Sequence, residues 1–189
     1  MPESSADALS EHLDVATRVE TLLPLVDAVG RLLVERLEAG GRVYTFGNGG
    51  SAVDANHFAE ELVGRFKRER RPLPAQSLSV DAAALTCIAN DYSFEEVFER
   101  QVRGFVGPRD VVVAFSTSGR SANVVRGLAA AQEAGATTVL FGGSEAGPAG
   151  RHADLALLVP SEATARIQEL HVFFLHVLIE QVDRWAAGE

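Results

Sequence analysis

The sequence predicts an α/β protein: a doubly wound, mainly five-stranded parallel sheet flanked by helices, with an N-terminal helical extension and a long C-terminal helix. Three observations predict it. Short, nearly all-apolar runs such as Asp110–Phe115 alternate with longer segments of helical period. Such runs suit strands covered on both faces by helices, rather than a half-solvated antiparallel sheet. Two of them stop at Gly- or Ser-rich turns that lead directly into helices, at Gly47–Ser51 and Ser116–Ser121.

Leu22, Val26, Val29, Leu33 and Leu37 recur at three- and four-residue steps and give the first forty residues an apolar helical stripe. Pro24, tolerated only in a first turn, divides a leading helix over about 5–20 from a second that ends at Gly40-Gly41. A β-rich run, 42–46, then stops at the glycine loop, and helix resumes over about 52–66. Pro72 and Pro74 mark a connection to a strand at 76–80. The second half repeats the scheme: strand 110–115, helix 122–134 ending at Gly135, strand 137–141, strand 155–159 and a helix over 164–187. Domain organisation is therefore a helical extension, 1–40, on one structural unit, 41–189.

Composition excludes several function classes. The 189 residues carry 17 basic and 26 acidic side chains, a net charge of −9, which is unsuited to gripping a nucleic-acid backbone by bulk charge. No apolar run approaches the ~18–20 residues of a membrane span, and the acidic start MPESSADALSEHLD has no secretory apolar core. Cys87 is the only cysteine, so no disulfide framework exists and a cytoplasmic location is expected. Lys67 is the only lysine, leaving Schiff-base chemistry one candidate inside the basic run Arg65–Arg71, itself read as a solvated turn.

The strand-ending loops carry the chemistry. Asn48, Gly49 and Gly50 offer bare backbone at one helix start, and Ser116, Thr117, Ser118 and Ser121 offer hydroxyls and amides at another. Unpaired N–H groups and the partial positive charge of a helix N-terminus suit a phosphate. The same residues also serve as plain turns and N-caps. Gly47-x-Gly49-x-x-Ala52 matches a loose dinucleotide pattern, but the acidic residue expected about 20 residues on is absent, and Asp81 comes 34 residues after Gly47. A phosphate monoester is the better ligand. His57 and Glu61, spaced i,i+4, share one helix face, either as a surface pair or as ligands. Gln168, His171 and His176 lie amid Ile167, Leu170, Phe174 and Leu175 on the last helix, where buried polar groups need each other, a ligand or a metal.

FGNGGSAVDANHFAEELVGRF, IANDYSFEEVF, FSTSGRSANV and ARIQELHVFFLHVLIEQ, in this order, resemble the phosphoheptose isomerases of the SIS (sugar isomerase) family over about residues 40–187. The resemblance implies an enzyme, a homotetramer that converts sedoheptulose 7-phosphate to D-glycero-D-manno-heptose 7-phosphate through a cis-enediol. It further implies substrate binding by Asn48, Gly49, Gly50, Glu61, Asn90, Asp91, Ser116, Thr117, Ser118, Ser121 and Gln168. Zinc, one ion per active site, would be held by His57, Glu61, Gln168 and His176, with Glu61 and His176 as the acid/base pair. The chain departs from common family residues at Phe46, Arg120 and Ala165. The alternative reading is a non-catalytic SIS-domain regulator that binds a phosphosugar or a protein, such as a partner of the replication initiator.

Gln168 and His176, eight residues apart, are ~12 Å apart along one helix axis at ~1.5 Å per residue. Bonds from zinc to nitrogen or oxygen are ~2 Å long. If both serve one ion, the expectation is that a symmetry-related helix supplies one of them, in a closed oligomer with active sites at subunit interfaces.

Overall fold

Each apolar run becomes a strand, and the sheet they build explains where the two loops meet. The computed structural model describes residues 4–189, so residues 1–3 of the expected extension lie outside the described residues. The strands are β1 (Val43–Gly47), β2 (Ala75–Ser77), β3 (Val111–Ser116), β4 (Thr137–Gly142) and β5 (Leu155–Leu158). They are parallel throughout, in the order β2-β1-β3-β4-β5. From β1 the chain moves outward to β2, and from β3 it moves the other way to β4. Central neighbours β1 and β3 are therefore the switch point, and Gly47 sits beside Phe115 at their carboxyl ends.

Strand side chains alternate between two cores, as a period of two requires. Val111, Val113 and Phe115 join α2 (Leu23–Glu38), α3 (Gly50–Val63) and α7 (Thr164–Ala187) on one face. Val112 and Ala114 join α5 (Val97–Phe105) and α6 (Ala122–Glu133) on the other. The leading helix, α1 (Ser5–Arg18), is capped by the Ser4 hydroxyl, and Pro24 opens α2 as the sequence requires. Residues of α1 and α2, including Val15, Val29 and Leu33, share the core of the sheet and α7.

Two differences from the sequence reading have physical causes. Residues 81–109, assigned to no element from sequence, hold α4 (Ala82–Asp91) and α5. α4 lays only Leu85, Ile88 and Ala89 against the core, each partly buried, whereas short α5 buries Val97, Phe98, Gln101 and Val102. The basic run is also no solvated turn. The Arg70 guanidinium and the Asp183 carboxylate of α7 are fully buried together, Nε to Oδ1 at 3.0 Å. Arg70 also donates to the carbonyls of Glu61, Leu62 and Gly64 at 2.6, 2.8 and 3.1 Å, so it satisfies the open end of α3 and ties it to α7. Lys67, the single lysine, pairs with Glu180 at 2.8 Å on the surface.

Candidate active site

The β1–α3 loop turns sharply at Gly49, whose φ of +57° suits glycine. Gly50 then opens α3 with no room above it: a Cβ there would lie 2.4 Å from Gln168 Nε2, so the Gln168 amide rests on the helix start. Asn48 is held by a reciprocal amide pair with Asn123 of α6, at 2.8 and 2.9 Å. The two loops predicted to bind ligand are thereby fastened together across the switch point. Asn123, nearly fully buried, is a positioning residue that sequence reading did not single out, although it lies within the FSTSGRSANV segment.

In the β3–α6 loop the Ser116 hydroxyl accepts from the Gly119 amide at 3.1 Å, and the Ser118 hydroxyl accepts from the Arg120 amide at 3.2 Å. Those two serines therefore do act as turn formers. Ser121 occupies the N-cap of α6 with no side-chain capping bond, so its hydroxyl is not spent on the helix. Thr117 and Ser118 line a cavity of about 260 Å³ between this loop, the segment after β4 and the first turn of α7.

The second group forms where α3 crosses α7. His57 Nε2 lies 3.3 Å from Glu61 Oε1. His176 meets His57 edge-on, with ring centroids 5.1 Å apart, and stacks on Phe66 at 5.5 Å. One ligand atom from each of His57, Glu61 and His176 falls within 4.8 Å of the others, and all three residues are half-buried. Two imidazoles and a carboxylate at that spacing fit a divalent cation such as zinc. Burial, helped by the neighbouring His57, lowers the His176 pKa and favours the neutral ring that a metal requires. On the same helix, burial pushes the Asp54 carboxyl up to about 6 against the opposing pull of His57, and one Asp54 oxygen has no partner among the described residues.

Other candidates fall elsewhere. Gln168 lies two turns from His176 along α7, with its amide against Gly50. Asn90 and Asp91, exposed at the end of α4, hydrogen-bond each other at 2.7 Å, and no bond of theirs reaches another candidate. His171 meets neither ligand nor metal group. It is fully buried against Phe115 and Phe141, and its Nε2 donates to the Gly142 carbonyl at 3.0 Å. Burial lowers its pKa to about 4, against the weaker effect of that bond, so it is a neutral core histidine.

A family model described as SIS domain matches residues 9–143, well over half the chain. The chain belongs to the SIS domain family. Among curated SIS relatives, it is 46% identical to the phosphoheptose isomerase of Roseiflexus sp. (strain RS-1) over 94% of this chain and 91% of that one. It is 50% identical to the phosphoheptose isomerase of Aquifex aeolicus (strain VF5) over 84% and 83% of the two chains. The solved phosphoheptose isomerase of Neisseria gonorrhoeae superposes with a TM-score of 0.88 at 36% identity, covering 94% of this SIS chain and 96% of the other. The five-stranded parallel architecture expected from sequence is that of this family.

Proposed function

We propose that this chain is a phosphosugar isomerase that converts sedoheptulose 7-phosphate to D-glycero-D-manno-heptose 7-phosphate through a cis-enediol. The observation that carries the reading is the convergence of His57, Glu61 and His176 from two helices, one of which, α3, starts at the first of two linked loops suited to the rest of an open-chain sugar phosphate. Ser116, Thr117, Ser118 and Ser121 hold the phosphate at the start of α6. Asn48, Gly49, Gly50, Asn90, Asp91 and Gln168 hold the sugar chain. Anchoring the far end of the substrate makes proton transfer effectively intramolecular.

Glu61 takes the proton at C1 and returns it at C2, while His176 protonates the C2 carbonyl oxygen and then takes the proton of the C1 hydroxyl; the reverse reaction retraces these steps, with Glu61 taking the proton at C2. Glu61 is only 15% exposed, so it is held within the site yet stays open to proton exchange with solvent. His57, Glu61 and His176 would hold zinc, which when bound polarises a carbonyl as a Lewis acid. Gln168 would be the fourth ligand, and its distance from His176 along α7 calls for a second copy of the chain. We therefore propose a homotetramer with active sites between subunits. It works in the cytoplasm, in keeping with the single cysteine and with described helices none of which is long and apolar enough to cross a membrane.

Glu61→Gln and His176→Ala each remove a proton-transfer group, and each is expected to lower turnover ~10²–10⁴-fold with the fold intact by circular dichroism. Near-full turnover in either variant would move the chemistry elsewhere and favour the regulator reading. Sedimentation at working concentration tests the assembly, and a fully active monomer would exclude it.

A further inference from the structure

We propose that Arg120 is the charge partner of the substrate phosphate, held away from it by Glu145 until an anion arrives. The inference rests on the reading of Ser116–Ser121 as the phosphate loop and assigns a role to a residue at which this chain departs from its family. Arg120 and Glu145 both line the 260 Å³ cavity with Thr117, Ser118, Ser144 and Thr164. With Ser161, five hydroxyl side chains and one guanidinium line a common space, which suits a phosphorylated polyol.

The backbones carrying the pair are fixed against each other. The Ala149 amide donates to the Gly119 carbonyl at 3.0 Å. Gly119, at φ +61°, lies so close to the chain after β4 that a Cβ would come within 2.1 Å of the Ala146 carbonyl oxygen. The Arg120 amide is bound into the loop through Ser118. Only the side chains are free to move. Arg120 Nη2 meets Glu145 Oε2 at 3.0 Å, and the two side chains are 65% and 75% exposed. Such exposed pairs contribute ~0–1 kcal/mol, so the contact is readily exchanged.

A phosphate dianion is the stronger partner. It carries twice the charge of a carboxylate and accepts the planar guanidinium fork at two oxygens. Without Arg120 the loop offers only neutral hydroxyls, amides and the fractional charge of one helix terminus. Glu145 and Glu162 at the same cavity, in a chain of net charge −9, would otherwise repel the substrate. Glu145 thus competes with the substrate for the one cation lining this space.

The experiment measures KM and kcat on sedoheptulose 7-phosphate, and binding of inorganic phosphate by titration calorimetry, for wild type, Arg120→Asn, Arg120→Lys and Glu145→Gln. Loss of a charged hydrogen bond predicts that Arg120→Asn raises KM and the phosphate Kd about tenfold while kcat changes far less. Arg120→Lys recovers part of the loss. Glu145→Gln moves both constants in the opposite direction, severalfold tighter, which a merely structural ion pair would not do. Unchanged constants in Arg120→Asn, or weaker binding in Glu145→Gln, would overturn the assignment while leaving isomerisation intact. A wild type that binds phosphate through Arg120 but isomerises nothing would instead sink the proposed function and spare this inference.

Discussion

Replacing Asp183 by Asn tests the strap that fixes α3 against α7, and with it the spacing of His57 and Glu61 from His176. Asp183 is fully buried and accepts three N–H groups: Lys67 N at 3.1 Å and Arg68 N at 2.8 Å on one oxygen, and Arg70 Nε at 3.0 Å on the other. An asparagine has one acceptor oxygen, so either orientation of its amide turns an NH2 group onto a donor and leaves the buried Arg70 guanidinium uncompensated. Breaking one partner of a buried pair costs about 3–5 kcal/mol. At about 2.1 cal/mol/K per residue, 189 residues give an unfolding entropy near 0.4 kcal/mol/K, so Tm should fall by about 8–12 °C. Glu180→Gln is the control: it removes the half-exposed pair with Lys67 and should cost under about 1 kcal/mol, or about 2 °C. Burial alone would raise the Asp183 pKa, but the amides of Arg68 and Lys67 and the Arg70 guanidinium together hold it below its usual 3.8. Its stabilisation is therefore present above that value and is lost as pH falls through the lower folded pKa, where the gap between wild type and Asp183→Asn should close. Calorimetric melts at one fixed protein concentration read both effects. A shift at neutral pH no larger than that of Glu180→Gln would refute the reasoning.

His171 should make the fold acid-sensitive. Its folded pKa of about 4 lies below the ordinary 6.5, so the stability it confers is complete above 6.5 and is lost as pH falls toward 4, by about 3 kcal/mol in all. His171→Gln should flatten that part of the urea-denaturation profile, and an unchanged slope would count against it. Gly50→Ala should leave stability within about 1 kcal/mol of wild type, since alanine suits a helix start. Its Cβ would nevertheless displace the Gln168 amide, and kcat/KM should fall by up to about 10²-fold; equal kcat/KM would show that Gln168 needs no fixed position.

Much of this was legible because the physics is local. Val111–Phe115 is apolar on both faces, which only a doubly covered strand tolerates. Pro24 and Gly49 mark chain positions through their own backbone limits. The His57–Glu61 spacing is a property of one helix, and the 3.3 Å contact follows from it. What sequence could not show depends on packing between elements. His176 reaches His57 only because α7 crosses α3, whereas His171, five residues earlier, turns instead to the Gly142 carbonyl. Both histidines look alike in sequence, and neighbouring apolar residues do not reveal which face meets the site. Asn123 pairs with Asn48 from 75 residues away, and α4 lays only the partly buried Leu85, Ile88 and Ala89 against the core, too short a stripe to stand out.

The most direct test of the central claim is to incubate the protein with sedoheptulose 7-phosphate in D2O and follow the sugar by NMR. The account predicts an aldose heptose 7-phosphate carrying deuterium at C2, with solvent deuterium also entering C1 of the recovered ketose, because the proton passes through Glu61 rather than remaining with the substrate. Glu61→Gln should bind the sugar phosphate and incorporate almost none. A wild type that binds the sugar but leaves every C–H bond protiated and forms no aldose, or a Glu61→Gln variant that exchanges as fast as wild type, would contradict it.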